Sequence, residues 1–239
     1  MYQDIRITTG NPAVDSAVSG GIPAGSAVLL LSDTGAGGNL LMQTMLHQVY
    51  LNKKRDGSDV PKELCYISAK KSADALINEL RRSFHLKDSE AEGLLPHLFD
   101  AGVPKAGSLS SVLEKAVSYP AASLIFLDSL TAYLSTEADF ASFISLMNRT
   151  VRTISERKVT CIFLLAAGAL PHEEEMQLSD LFDQIWRLSW DTQMQKPRRL
   201  LSLECGVENA AAAPHEMLQM NAVLLPEGGI AVSNLRKIV

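Results

Sequence analysis

Residues 26–31 (SAVLLL) carry no charge, and the eight residues behind them, SDTGAGGN, hold three glycines. An unbroken apolar run of this length reads as a strand buried on both faces, as in the middle of a parallel sheet. A glycine-dense turn directly behind it lets the backbone bend sharply into a helix, expected over about residues 40–52. Strand, tight turn and helix in that order make a βα unit, which obliges the rest of the chain to supply parallel partners.

The rest of the chain does so. Runs at 64–68 (LCYIS), 123–128 (SLIFLD) and 160–165 (TCIFLL) have the same character, with a shorter one near 97–100. Between them lie helical stretches: 72–84, opened by Ser72, and 108–118, with Leu109, Val112, Leu113 and Ala116 on one face. The longest predicted helix carries Phe140, Phe143, Ile144, Met147, Val151 and Ile154 as one stripe, with Thr136 and Asp139 as its capping box. A further short helix is expected beyond an acidic loop after residue 165. From residue 184 the pattern changes. Segments 185–190, 200–205, 219–225 and 229–232 read as strands without intervening helices, and Pro226-Glu227-Gly228-Gly229 is a hairpin turn. The expected fold class is α/β: a mostly parallel central sheet flanked by helices, about residues 1–183, extended by an antiparallel C-terminal edge, about 184–239, in one domain. With 239 residues and no low-complexity linker, nothing divides the chain.

A net charge of −5 argues against a nucleic-acid partner, because neutralising phosphates takes concentrated Lys and Arg. The short basic runs, Lys53-Lys54-Arg55, Arg81-Arg82 and 196–199, have no interleaved aromatics and read as solubilising helix ends and loops. Cys65, Cys161 and Cys205 sit in separate apolar runs, as buried strand residues of a reducing compartment do. His47, His85, His97, His172 and His215 lack ligand spacing, so no metal site is expected and each reads as a surface or helix-face residue. The N-terminal MYQDIRITTG has no signal-peptide pattern, and no run approaches a membrane span; a cytoplasmic location is expected.

The segment 10–38, GNPAVDSAVSGGIPAGSAVLLLSDTGAGG, resembles the start of the RecA superfamily, in particular its KaiC-like branch, where a GGIP-G turn, a strand and a Walker A loop follow in that order. The segment SLIFLDSL resembles Walker B, with Asp128 and Ser129 at its end. The resemblance implies a RecA-like P-loop fold with an ATP site at the subunit interfaces of a ring or filament, and roles in signalling, clock timing, motility or recombination.

On that resemblance the degenerate loop is Ser32, Asp33, Thr34, Gly35, Ala36, Gly37, Gly38 and Asn39. Ser32 stands where the first glycine belongs, Gly38 where the phosphate-binding lysine belongs, and Asn39 where a hydroxyl would hold Mg²⁺. Lys70 and Lys71 occupy the place of a glutamate pair, one of which would activate water; an ammonium cannot act as that base. The stretch 203–206 (LECG) supplies neither cation of the K-x-R-G pattern that a neighbouring subunit offers. The expected function is that of a non-hydrolysing homologue that binds a protein partner or an intact paralogue, or its own copies, in signalling or regulation. No cofactor is expected, and ATP with Mg²⁺ only if Lys70 or Lys71 swings toward the loop rather than staying solvated at a strand end or pairing with Asp33 or Asp128. The alternative is a nucleotide-binding sensor or weak ATPase. A recombination accessory is the least favoured, since His172 to Glu175 (HEEE) would repel phosphate.

Overall fold

A computed structural model of the chain describes residues 5–56, 63–136, 139–193, 196–205 and 218–237. Two short strands, β1 (Arg6–Ile7) and β2 (Ile22–Pro23), pair antiparallel around helix α1 (Pro12–Ala17). There follow β3 (Ala27–Ser32), α2 (Gly38–Asp56), β4 (Leu64–Ser68), α3 (Ala73–Phe84), α4 (Asp88–Leu94), β5 (Leu98–Asp100), α5 (Ser108–Val117) and β6 (Leu124–Asp128). The remainder is α6 (Phe140–Arg157), β7 (Thr160–Ala166), α7 (His172–Ser179), β8 (Gln184–Asp191), β9 (Arg198–Cys205), β10 (Leu218–Leu224) and β11 (Ile230–Lys237).

The main sheet has nine strands in the order β11-β10-β9-β8-β3-β7-β6-β4-β5. Strands from β8 to β5 in that order run parallel, and β9, β10 and β11 continue antiparallel. The reversal therefore comes one strand later than the pattern predicts. β8 lies parallel to β3 and antiparallel to β9, so the parallel part reaches Asp191 and does not stop before Gln184. The absence of a helix after β8 marks where the chain stops crossing over, which is after the last parallel strand and not before it.

Side chains alternate across the sheet into two cores. Val28, Leu30, Tyr66, Phe126, Ile162 and Trp186 pack beneath α1 to α4. Leu29, Leu31, Cys65, Ile67, Ile125, Leu127, Cys161 and Phe163 face α5, α6 and α7 on the other side. Because both faces are covered, the central strands read as continuous apolar runs. Cys65 and Cys161 are buried as expected, with burial pushing the Cys65 thiol up to about 12; the side chain of Cys205, along with Gly206 and His215, lies outside the described residues.

Three local expectations change. The longest helix is α2, 19 residues against 18 for α6. Its first turns are buried nearly all round, from Leu41 and Met42 through Gln43 and Thr44 to Met45 and Leu46, so it shows no stripe to mark its length. Asp139 alone caps α6, accepting from Ser142 N at 2.7 Å, while Thr136 Oγ1 donates back to the Tyr133 carbonyl. The HEEE run is not a loop but the first turn of α7, where carboxylates suit the positive end of the helix dipole. His47, read as a surface or helix-face residue, does lie on a helix, α2, with both ring nitrogens buried and its ring against Phe84.

Candidate functional site

The C-terminal ends of β3, β4 and β6 open into one cleft of about 550 Å³, beside the place where β3 separates β7 from β8. In open parallel sheets such a crevice is where ligands bind.

One wall is the turn between β3 and α2. Gly35 and Gly37 adopt φ of +74° and +96°, which residues with a side chain rarely tolerate, and Ala36 N closes the turn on the Asp33 carbonyl at 3.0 Å. Gly38, the first residue of α2, donates its N–H to Ser32 Oγ at 3.1 Å. A Cβ at Gly38 would lie 2.6 Å from Ser32 Cβ, 2.7 Å from Leu164 Cδ1 and 2.8 Å from Ser32 Oγ. Serine at 32 and glycine at 38 are therefore two halves of one fit: the hydroxyl satisfies an N–H at the start of the helix and fills the space that a side chain at 38 needs. Among the described residues the N–H groups of Gly35, Gly37 and Asn39 meet no acceptor.

The opposite wall is formed by the ends of β4 and β6. Asp128, 5% exposed, accepts a hydrogen bond from the Tyr66 hydroxyl at 2.9 Å. Burial raises the Asp128 carboxyl pKa above its ordinary value, and the Tyr66 hydrogen bond and the charges of Lys70 and Lys71 oppose that rise. Burial and the adjacent carboxylate push the Tyr66 hydroxyl well up in turn. Ser129, next in the chain, is 1% exposed, lines the cleft, and its Oγ has no partner among the described residues. Ser68 Oγ accepts from the N–H groups of Lys70 and Lys71, which fixes the turn that carries both ammonium groups to the rim.

Of the sequence-derived set, Ser32, Asp33, Gly35, Gly37, Gly38, Asn39, Lys70, Lys71, Asp128 and Ser129 all line this cleft. Thr34 and Ala36 belong to the turn but do not line the cleft; their carbonyls accept from Trp190 and Arg199, on the outer side of the turn. Neither lysine forms an ion pair with Asp33 or Asp128, and Lys70 is exposed to solvent at the strand end. Lys71 forms an ion pair with Glu79 of α3, the Asp33 carboxylate accepts from Trp190 N at 3.0 Å, and Asp128 is taken by Tyr66. Lys70 forms no ion pair among the described residues.

Sequence reasoning missed Arg199 and Trp190. Arg199, at the start of β9, lines the cleft, donates from Nε to the Ala36 carbonyl at 2.8 Å, and lays its guanidinium carbon 4.3 Å from the centre of the Trp190 ring. Trp190 Nε1 donates to the Thr34 carbonyl at 3.2 Å. Strands β8 and β9 thus grip the turn from outside through two side chains. The stretch 203–206 does other work: Glu204 pairs with Arg187, which also holds Glu175 of α7. Among the described residues no three His, Cys, Asp or Glu side chains gather to hold a metal ion.

Comparisons with known proteins bear on the fold. A family model described as a family of unknown function, DUF7125, matches residues 6–221. No curated protein matches the chain. Among solved structures, the flagellar accessory protein FlaH from Methanocaldococcus jannaschii is similar with a TM-score of 0.73 and 18% identity, covering 97% of this chain and 100% of its own. The KaiC-like protein PH0186 from Pyrococcus horikoshii OT3 is similar with a TM-score of 0.69 and 18% identity, covering 96% and 99%. The fold is the RecA/KaiC-like α/β fold.

Proposed function

The chain belongs to the DUF7125 family, and from that membership and its KaiC-like fold we propose a non-hydrolysing RecA/KaiC-like protein that acts by binding other proteins, in signalling or regulation. The observation that carries this reading is the closed position at 38. Any side chain there meets Ser32 Cβ at 2.6 Å, so the place from which a lysine would reach a triphosphate is filled by the protein itself. Magnesium fits no better: Asn39 offers no hydroxyl, and the Asp128 carboxylate is bonded to Tyr66. Lys70 and Lys71 put ammonium groups where water activation needs a carboxylate. Each of these features alone would cost phosphoryl transfer orders of magnitude, because that reaction runs on positioning and electrostatics.

The neighbour named as an accessory protein offers a parallel for a chain whose work is to serve another protein. The partner is a protein, an intact paralogue or a further copy of the chain; we take the chain as one domain working in the cytosol, and no described helix is long and apolar enough to cross a membrane. The test is phosphate release from ATP with Mg²⁺, alongside sizing of the purified chain with and without nucleotide. The expected result is no release above a blank and a size indifferent to ATP. Turnover that Asp128→Asn abolishes, or hexamers that form only with nucleotide, would overturn the proposal. A second reading, a nucleotide-binding sensor or weak ATPase, draws on the open cleft of about 550 Å³ and on Ser129, whose buried hydroxyl lines it without a partner.

A further inference from the structure

The cleft contains three acids and three cations, and most are already engaged. Asp33 accepts from Trp190 N, Asp128 accepts from Tyr66, and Glu79 pairs with Lys71. That leaves Lys70 and Arg199 as the positive groups facing open space. The two are held differently. Lys70 is exposed and tied only through its main chain, so its ammonium must be ordered by whatever it meets. Arg199 is already ordered: Nε is bonded to Ala36 of the turn, and its plane rests on Trp190.

We infer that Arg199 is the anion-binding cation of this cleft, taking from β9 the role that position 38 cannot fill, for a phosphate-class oxyanion at the tip of a small polyphosphate. The anion sits toward the outer part of the turn, because the Gly38 N–H is already donated to Ser32 while those of Gly35, Gly37 and Asn39 are open. Ser129 supplies a further donor, a hydroxyl 1% exposed and without a partner among the described residues. A guanidinium gripping a carbonyl through Nε still has its two terminal amino groups in one plane, which suits an oxyanion better than a freely swinging ammonium does. The inference rests on the non-hydrolysing reading only in requiring that the anion be held and not cleaved.

The test is calorimetric titration of the full chain with inorganic triphosphate and, separately, with ATP, both without magnesium, on wild type and on Arg199→Gln, Arg199→Lys, Lys70→Gln and Lys71→Gln. Arg199→Gln should weaken binding about tenfold or more, the size of a lost charge-assisted hydrogen bond. Arg199→Lys should recover part of that loss, and the two lysine variants should change affinity by about threefold or less. Trp190 serves as a second readout: the chain has two tryptophans, and Trp186 is fully buried, so an emission change on binding that disappears in Trp190→Phe reports on the Arg199 shelf. Equal affinity for triphosphate and ATP identifies an inorganic anion as sufficient; tighter ATP binding adds a contact to the nucleoside and leaves the assignment of Arg199 in place. The inference fails if wild type binds neither probe at about 10 mM, a level at which even a millimolar site fills. It also fails if Lys70→Gln, and not Arg199→Gln, removes binding. Hydrolysis with magnesium would sink the proposed function alone, since the Arg199→Gln titration is read without it.

Discussion

The two walls of the cleft are made in opposite ways. The turn wall is built of small groups in close fit: Ser32 against Gly38, the Asp33 carboxylate on a main-chain N–H, and two carbonyls held by Trp190 and Arg199. The sheet-end wall is built of polar and charged groups in pairs, the Asp128 carboxyl accepting from the Tyr66 hydroxyl and Lys71 in an ion pair with Glu79. The first refuses a side chain by volume; the second leaves little charge unspoken for. On the proposed non-hydrolysing reading, packing on one side and electrostatics on the other keep the site from a reaction, and substitutions separate the two.

The largest effect is expected at the turn. Gly38→Ala adds one methyl group and improves helix propensity by up to about 1 kcal/mol, yet it should destabilise the chain by about 2 kcal/mol in urea unfolding, since overpacking dominates. Adding Ser32→Gly should return most of that loss, a coupling between the two positions that independent sites would not show. If both changes simply add, the fit between them is not what closes position 38. On the other wall, Tyr66→Phe takes the donor from a buried carboxyl and should cost about 1.5 kcal/mol without altering the turn.

Asp128 supplies a pH signature of the charged wall. Because burial raises its folded pKa above the ordinary 3.8, the folded chain holds this proton more tightly than the unfolded chain does. The stability it contributes is therefore full below about 3.8 and declines as pH rises through the folded value. Asp128→Asn cannot ionise, so its stability relative to wild type should grow on going from about pH 4 to pH 7 in parallel melts. A constant difference would mean that the Tyr66 hydrogen bond and the two lysines cancel the burial. The smallest effect belongs to Lys71→Gln. Its ion pair with Glu79 is about a third exposed, so about 0.5 kcal/mol or less should be lost.

What could be read in the sequence follows the same division. β4 begins and ends where its apolar run does, Ser72 caps α3, and the glycine-dense turn behind β3 bends sharply into its helix, with positive φ at Gly35 and Gly37. All of these are local signals, carried within a few residues. Ser32, Asp33, Gly35, Gly37, Gly38, Asn39, Lys70, Lys71, Asp128 and Ser129 of the cleft's lining were legible because each sits at or just behind the end of a strand that could be recognised. Arg199 was not, because it reaches Ala36 across 163 residues through strand pairing that no local pattern encodes. In the sequence it reads as one more basic residue in the run 196–199. The direction of β8 was hidden for a similar reason, since a short apolar strand looks the same whichever way its neighbour runs.

The Ser32–Gly38 fit also sets the order in which this chain could change over generations. A lysine arriving first at 38 collides with the Ser32 Cβ, which has no room to turn aside, whereas the terminal methyl of Leu164 has. A glycine arriving first at 32 clears that contact and meets no such barrier. A path to a lysine-bearing loop would therefore have one passable first step, and folding alone would act as a ratchet against the other.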